Sequence, residues 1–145
     1  LRAALCPAGA LTPAGPTALE QADIAVGLSA ARALAALDVG QTVVVKQGVV
    51  VAVEALEGTD EAIRRAHALA GDGLVVVKMA APRQDRRFDL PVIGPDTIAT
   101  LREAGVSCLA VEAGTTILLE REVLLASAGA AGICLVGVTG DDPTP

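Results

Sequence analysis

Residues 74–95 read LVVVKMAAPRQDRRFDLPVIGP, and they decide the fold. Leu74 to Val77 are apolar and mostly β-branched, the composition of a strand buried on both faces, as in a parallel sheet. The run stops at Lys78. A loop follows in which Arg83, Asp85, Arg86, Arg87 and Asp89 mix both signs of charge, and Gly94 and Pro95 then open a helix with proline at its favoured first position. Strand, polar loop and helix in this order form a βα unit, and loops at the carboxyl ends of such strands are the usual ligand positions in open α/β sheets. Pro82, Pro91 and Pro95 restrict this loop before any ligand arrives. The competing reading is a solvated loop of weak internal ion pairs.

Working outward, the same grammar repeats. Residues 43–46 and 49–54 are apolar, β-branched runs around Gln47 and Gly48, the two-residue connection that closes a hairpin. Both runs are continuously apolar, so both are expected to be buried on both faces. Gly58 then permits a turn, and Thr59 is placed to cap a helix over residues 60–70. Upstream, Thr17 and Glu20 have capping-box spacing, and Ile24, Leu28, Ala31 and Ala35 follow at helical intervals, predicting a helix of about five turns. Downstream the pattern predicts a helix from Pro95 to Gly105, a strand over 106–111 ending at Glu112, a second strand over 116–119, a helix over 121–130 and a strand over 133–138. The expected fold is an α/β layered domain with a mixed sheet of about five to six strands flanked by helices. Residues 1–16, with three prolines and two glycines, are read as a linker or extended lead-in from a missing amino-terminal domain, residues 17–138 as the α/β domain, and residues 139–145 as a frayed tail.

Composition limits what this domain can do. The 145 residues are 52% hydrophobic and 1% aromatic, so the core is aliphatic. A net charge of −6 and a pI near 4.6 argue against nucleic acid as a partner. The arginines of residues 83–87 therefore form a local positive island, suited to one anionic group rather than a polyanion. Cys6, Cys108 and Cys134 show neither a disulfide framework nor zinc spacing, and Cys108 and Cys134 fall in strand-like core positions. His67 is a lone helical histidine without a nucleophile nearby in sequence. Residues 123–140 carry no charge, the length of a short membrane span, but four glycines interrupt them, so a helix followed by a buried strand is expected. Dinucleotide, P-loop and GxSxG fingerprints are absent.

The acids Glu54, Glu57 and Asp60, three within seven residues at a strand-to-helix turn, fit a hard divalent cation with oxygen ligands. The competing reading is that Asp60 and Glu61 merely complement the helix dipole and that Glu54 and Glu57 are solvated. The tetrapeptide AVEA at residues 52–55 recurs at 110–113, so two strand ends each deliver a glutamate, Glu54 and Glu112.

Three stretches, DVGQTVVVKQGVVVAVEALEGTD at residues 38–60, KMAAPRQDRRFDLPVIGPDT at 78–97 and GVSCLAVEAGTTILLERE at 105–122, together resemble the carboxyl-terminal domain of the LpxI-type UDP-2,3-diacylglucosamine pyrophosphatases. The resemblance implies a two-domain, magnesium- or manganese-dependent hydrolase of lipid A synthesis that cleaves UDP-2,3-diacylglucosamine to UMP and the acylated sugar phosphate. On this reading Asp85 and Asp89 act at the reacting phosphate, and Glu54, Glu57 and Asp60 hold the metal. Lys78, Arg86 and Arg87 donate to phosphate, and Lys46, Thr59, Arg64, Gln84, Glu112 and Thr115 complete the substrate-binding set. The implied setting is cytoplasmic, with transient contact at the inner-membrane surface, a missing amino-terminal domain and a homodimer. The rival from another class is a non-catalytic ligand-binding or dimerisation module.

Overall fold

A computed structural model describes residues 3–80 and 90–139. Its centre is β5 (Leu74–Lys78), the strand read first from sequence. Parallel partners β7 (Val106–Glu112) and β9 (Cys134–Val138) continue the sheet on one side. On the other side lies the antiparallel hairpin of β3 (Thr42–Lys46) and β4 (Val49–Val53). With β2 (Gly9–Ala10) antiparallel to β9, the mixed sheet has six strands in the order β2-β9-β7-β5-β3-β4. The expected α/β class and strand number are both found.

Alternation along each strand builds two cores from one sheet, because successive side chains point to opposite faces. Val43, Val45, Val75, Val77, Cys108 and Ala110 face α1 (Ala18–Ala36) and meet its Ile24, Leu28 and Ala31. Val44, Leu74, Val76, Leu109 and Val111 face the other way. They pack beneath α2 (Thr59–Ala70), α3 (Pro95–Glu103) and α4 (Arg121–Ala130) through Ile63, Ile98, Leu101 and Leu124. Each apolar run is therefore continuous because it serves two layers. The helix α1 lies close because position 27 is glycine: a Cβ there would stand 2.6 Å from Val77 Cγ2.

Local signals explain the element ends. Thr17 and Glu20 form the expected capping box, with Glu20 N–H donating to Thr17 Oγ1 at 3.1 Å and Thr17 N–H to Glu20 Oε1 at 2.9 Å. The hairpin turn has positive φ at both Gln47 (50°) and Gly48 (80°), the combination that matches strand twist in two-residue hairpins. Its two amides are held by Asp23 of α1, a buried carboxylate that accepts from Gly48 N–H at 2.8 Å and Gln47 N–H at 3.2 Å.

One expectation is corrected and another is made specific. The strand β4 is not buried on both faces. It is the sheet edge, with Val49 63% and Val50 39% exposed, because only β3 pairs with it. A register shift in the pairing and the Arg65 guanidinium on Val53 O, at 2.9 Å, blunt that edge. The leading residues, read as a linker or extended lead-in, carry two short strands. A second, three-stranded sheet pairs β1 (Ala3–Leu5) antiparallel with β8 (Ile117–Leu119), which runs parallel to β6 (Val92–Ile93). With β1 here and β2 in the main sheet, the proline- and glycine-rich start supplies an edge strand to each, where missing amide donors are tolerated.

Candidate functional site at the carboxyl edge

Strand directions gather one set of residues at one edge. Lys78 and Glu112 end β5 and β7, Thr42 begins the antiparallel β3 directly across from Lys78, and Glu54 follows β4. The chain then turns at Gly58, whose φ of 92° favours glycine, into α2. Between α2 and α3 lies a cavity of about 110 Å³. Its polar walls are Thr59, Asp60, Lys78, Thr97 and Thr100, and its apolar floor includes Val76, Ile93 and Leu109. It sits where β5 gives way to the polar loop, the position that the sequence order singles out.

Two features of this cavity favour an anion, and the Asp60 carboxylate in its wall opposes one. Lys78 is half-buried and makes no ion pair among the described residues. Gly58 offers no side chain to cap the first turn of α2, and among the described residues no side chain caps it, so the positive end of the helix dipole faces the cavity uncapped by them. Thr59 was expected to be that cap. Instead it is the first helical residue, and its hydroxyl lies 3.0 Å from Thr42 Oγ1. Thr97 is already engaged, its Oγ1 accepting from Gly94 N–H at 3.1 Å.

The three-acid metal set is not assembled. Among the described residues no group of three His, Cys, Asp or Glu side chains comes together to hold a metal ion. The reason is that each glutamate already has partners. Glu57 Oε1 accepts from Ala55 N–H at 2.6 Å and Oε2 from Arg65 at 2.8 Å, and these two bonds, the backbone one foremost, hold its carboxyl below the usual range. Glu54 Oε1 faces Gln41 N–H at 3.3 Å and the Thr59 hydroxyl at 3.5 Å. Asp60 alone of the three lines the cavity. The described carboxylates by themselves do not fit a hard cation.

Other expected site residues divide by position. Glu112 Oε2 accepts from the Thr115 hydroxyl, so these two sit together at the end of β7. Arg64 pairs with Glu61 on the solvent side of α2 and does not line the cavity. Lys46 lies at the opposite edge, because β3 runs antiparallel to β5, and its Nζ donates to Ala70 O at 2.6 Å at the end of α2. His67 is at that same end, with Nδ1 3.5 Å from Asp72 Oδ1. Asp85, Asp89, Gln84, Arg86 and Arg87 lie outside the described residues. Sequence reading passed over Thr42, whose signal was a hydroxyl at the head of a valine run, and Arg32, the sole basic residue of α1, which donates to Thr139 O at 3.2 Å beside the end of β9.

The cysteines are structural. All three are free and buried, and burial pushes each thiol up, most strongly at Cys108, where the neighbouring Cys134 thiol adds to the effect. No helix among the described residues is long and apolar enough to cross a membrane, and the uncharged 123–140 run resolves into α4 and β9.

With this geometry in place, comparison with known proteins is decisive. Residues 7–136 match the family described as the LpxI C-terminal domain. The chain belongs to that family. It is also similar to the UDP-2,3-diacylglucosamine pyrophosphatase LpxI of Caulobacter vibrioides, at 39% identity over 140 residues, covering 91% of this chain and 50% of the relative. The chain thus spans about half the length of that curated relative. The family match takes in β2 and every later element as far as Val136 in β9, so it coincides with the six-stranded sheet and the helices that cover it.

Proposed function

We propose that this chain is the carboxyl-terminal part of a UDP-2,3-diacylglucosamine pyrophosphatase of lipid A biosynthesis, whose reaction hydrolyses the pyrophosphate to UMP and 2,3-diacylglucosamine 1-phosphate. Family membership supports the substrate. The local observation that carries the reaction class is the Lys78 ammonium, free of any ion pair among the described residues, beside the uncapped amino end of α2. Together they favour a phosphoryl oxygen where charge grows during hydrolysis. Lys78 and Thr59 take that oxygen, Arg86 and Arg87 add donors, and Asp85 or Asp89 orients and deprotonates the water. Magnesium or manganese belongs to the proposal through Asp60 with Asp85 and Asp89, where it would gather phosphoryl charge. No role given to Lys78 or Thr59 depends on it.

The rest of the full-length protein supplies the other wall of the site in this proposal. Substrates with a nucleotide at one end and two acyl chains at the other suit clefts between domains. Positioning is worth roughly 7 to 11 kcal/mol of a barrier, so the 145-residue chain alone is expected to be inactive. Two acyl chains also bring the site to the cytoplasmic surface of the inner membrane. The test is to assay the full-length protein on UDP-2,3-diacylglucosamine with magnesium and with excess chelator, beside Lys78→Ala, Asp85→Ala and Asp89→Ala. Expected are loss of turnover in chelator, and losses of about 100-fold or more in one or both Asp variants and in Lys78→Ala. A native rate in Lys78→Ala would remove this cavity from the reaction, and full turnover in chelator would remove the metal.

A further inference from the structure

We infer that Thr42 is a positioning residue that sets the direction in which the Thr59 hydroxyl donates. The inference rests on the proposed phosphoryl site. Position 42 heads the strand TVVVK and is 1% exposed, among residues where valine fills the same volume. A hydroxyl in such a place is costly unless it is bonded. Here it is bonded to one atom in particular, Thr59 Oγ1, at 3.0 Å.

The proton order follows from the third partner. Glu54 Oε1 lies 3.5 Å from Thr59 Oγ1, and a carboxylate can only accept. When Thr59 donates toward Glu54, its oxygen is left to accept from Thr42. Each hydroxyl has one proton, so the order is Thr42 to Thr59 to Glu54. The outer contact is long and therefore weak, whereas the inner one has ordinary length. An anionic oxygen entering the cavity beside Lys78 thus competes with a poor acceptor for the Thr59 proton, while Thr42 keeps the Thr59 oxygen occupied. Thr59 is thereby held as a donor to the ligand, and it does not turn back to cap the α2 amides that the same ligand needs. Register pairing of Thr42 with Lys78 fixes this device to the strand carrying the cation.

The experiment uses the full-length protein with three substitutions, Thr42→Val, Thr42→Ser and Lys78→Ala, read by melting temperature and by kcat and KM on UDP-2,3-diacylglucosamine. Thr42→Val keeps the shape and removes the proton. It is expected to melt at or above the native temperature while kcat/KM falls about tenfold, the size of one hydrogen bond. Thr42→Ser restores the hydroxyl and is expected to recover kcat/KM to within about twofold. Native kinetics in Thr42→Val would overturn the inference, as would equal impairment of the Val and Ser variants, which would mark packing rather than proton direction. Lys78→Ala separates the two levels: native activity there sinks the phosphoryl site itself, whereas loss there with native Thr42→Val sinks only the role of Thr42.

Discussion

Replacing Asp23 by alanine is expected to loosen the β3–β4 hairpin at its turn, the edge of the sheet opposite the one that carries Glu54 and the entrance to α2. The carboxylate is 8% exposed and accepts two amides from residues 24 and 25 positions away, so it ties α1 to a turn that sequence distance would leave free. Hydrogen bonds to a charged group contribute about 1.5–3 kcal/mol each when buried. The turn itself is exposed, so water re-solvates both amides once the acceptor is gone, and the lower half of that range applies to the pair together. Removing a desolvated carboxylate also relieves its own burial cost. A net loss of about 2 kcal/mol results, which for a domain of this size lowers the melting temperature by about 4–8 °C. Asp23→Asn keeps one neutral acceptor and is expected to lose about half as much. Urea titration of the 145-residue chain reads the difference directly, and the midpoint should move with an unchanged slope. If Asp23→Ala stays within about 0.5 kcal/mol of the native chain, as an ordinary surface change does, the carboxylate is not what holds the hairpin.

Two further outcomes follow from side-chain environments. Glu57→Gln is expected to leave turnover of the full-length protein within about twofold, because its carboxylate is committed to Ala55 and Arg65; a loss of about 100-fold, the scale of a removed ligand or base, would return it to the metal set. Stability is expected to fall in alkali: burial raises the folded thiols above their unfolded value near about 8.5, so their contribution is fully present below that pH and is lost as pH rises toward the folded values. Melting scans between neutral and strongly alkaline pH check this, and Cys108→Val should flatten the decline most, since Cys108 has the largest upward shift.

The element order was legible because its signals are local. Valine runs, the Thr17 and Glu20 spacing, Pro95 at a helix start and the Gln47–Gly48 turn each act within a few residues, and all appear where sequence placed them. Burial of β4 was misjudged for the complementary reason. An apolar run says that a strand can be covered, but only the sheet order says whether a neighbour exists to cover it.

The candidate site divides along the same line. Sequence by itself determined the family, the α/β class and the edge at which Lys78 and Glu112 end their strands, since a parallel strand followed by a polar loop has one carboxyl end. Tertiary structure decided what each side chain does there. It removed Lys46 to the far edge through the antiparallel turn of β3, gave Glu57 to Arg65, and joined Thr42 to Thr59 across 17 residues. Those assignments depend on partners distant in sequence, and a hydrogen bond belongs to the pair of groups that the fold brings within about 3 Å, not to either residue alone.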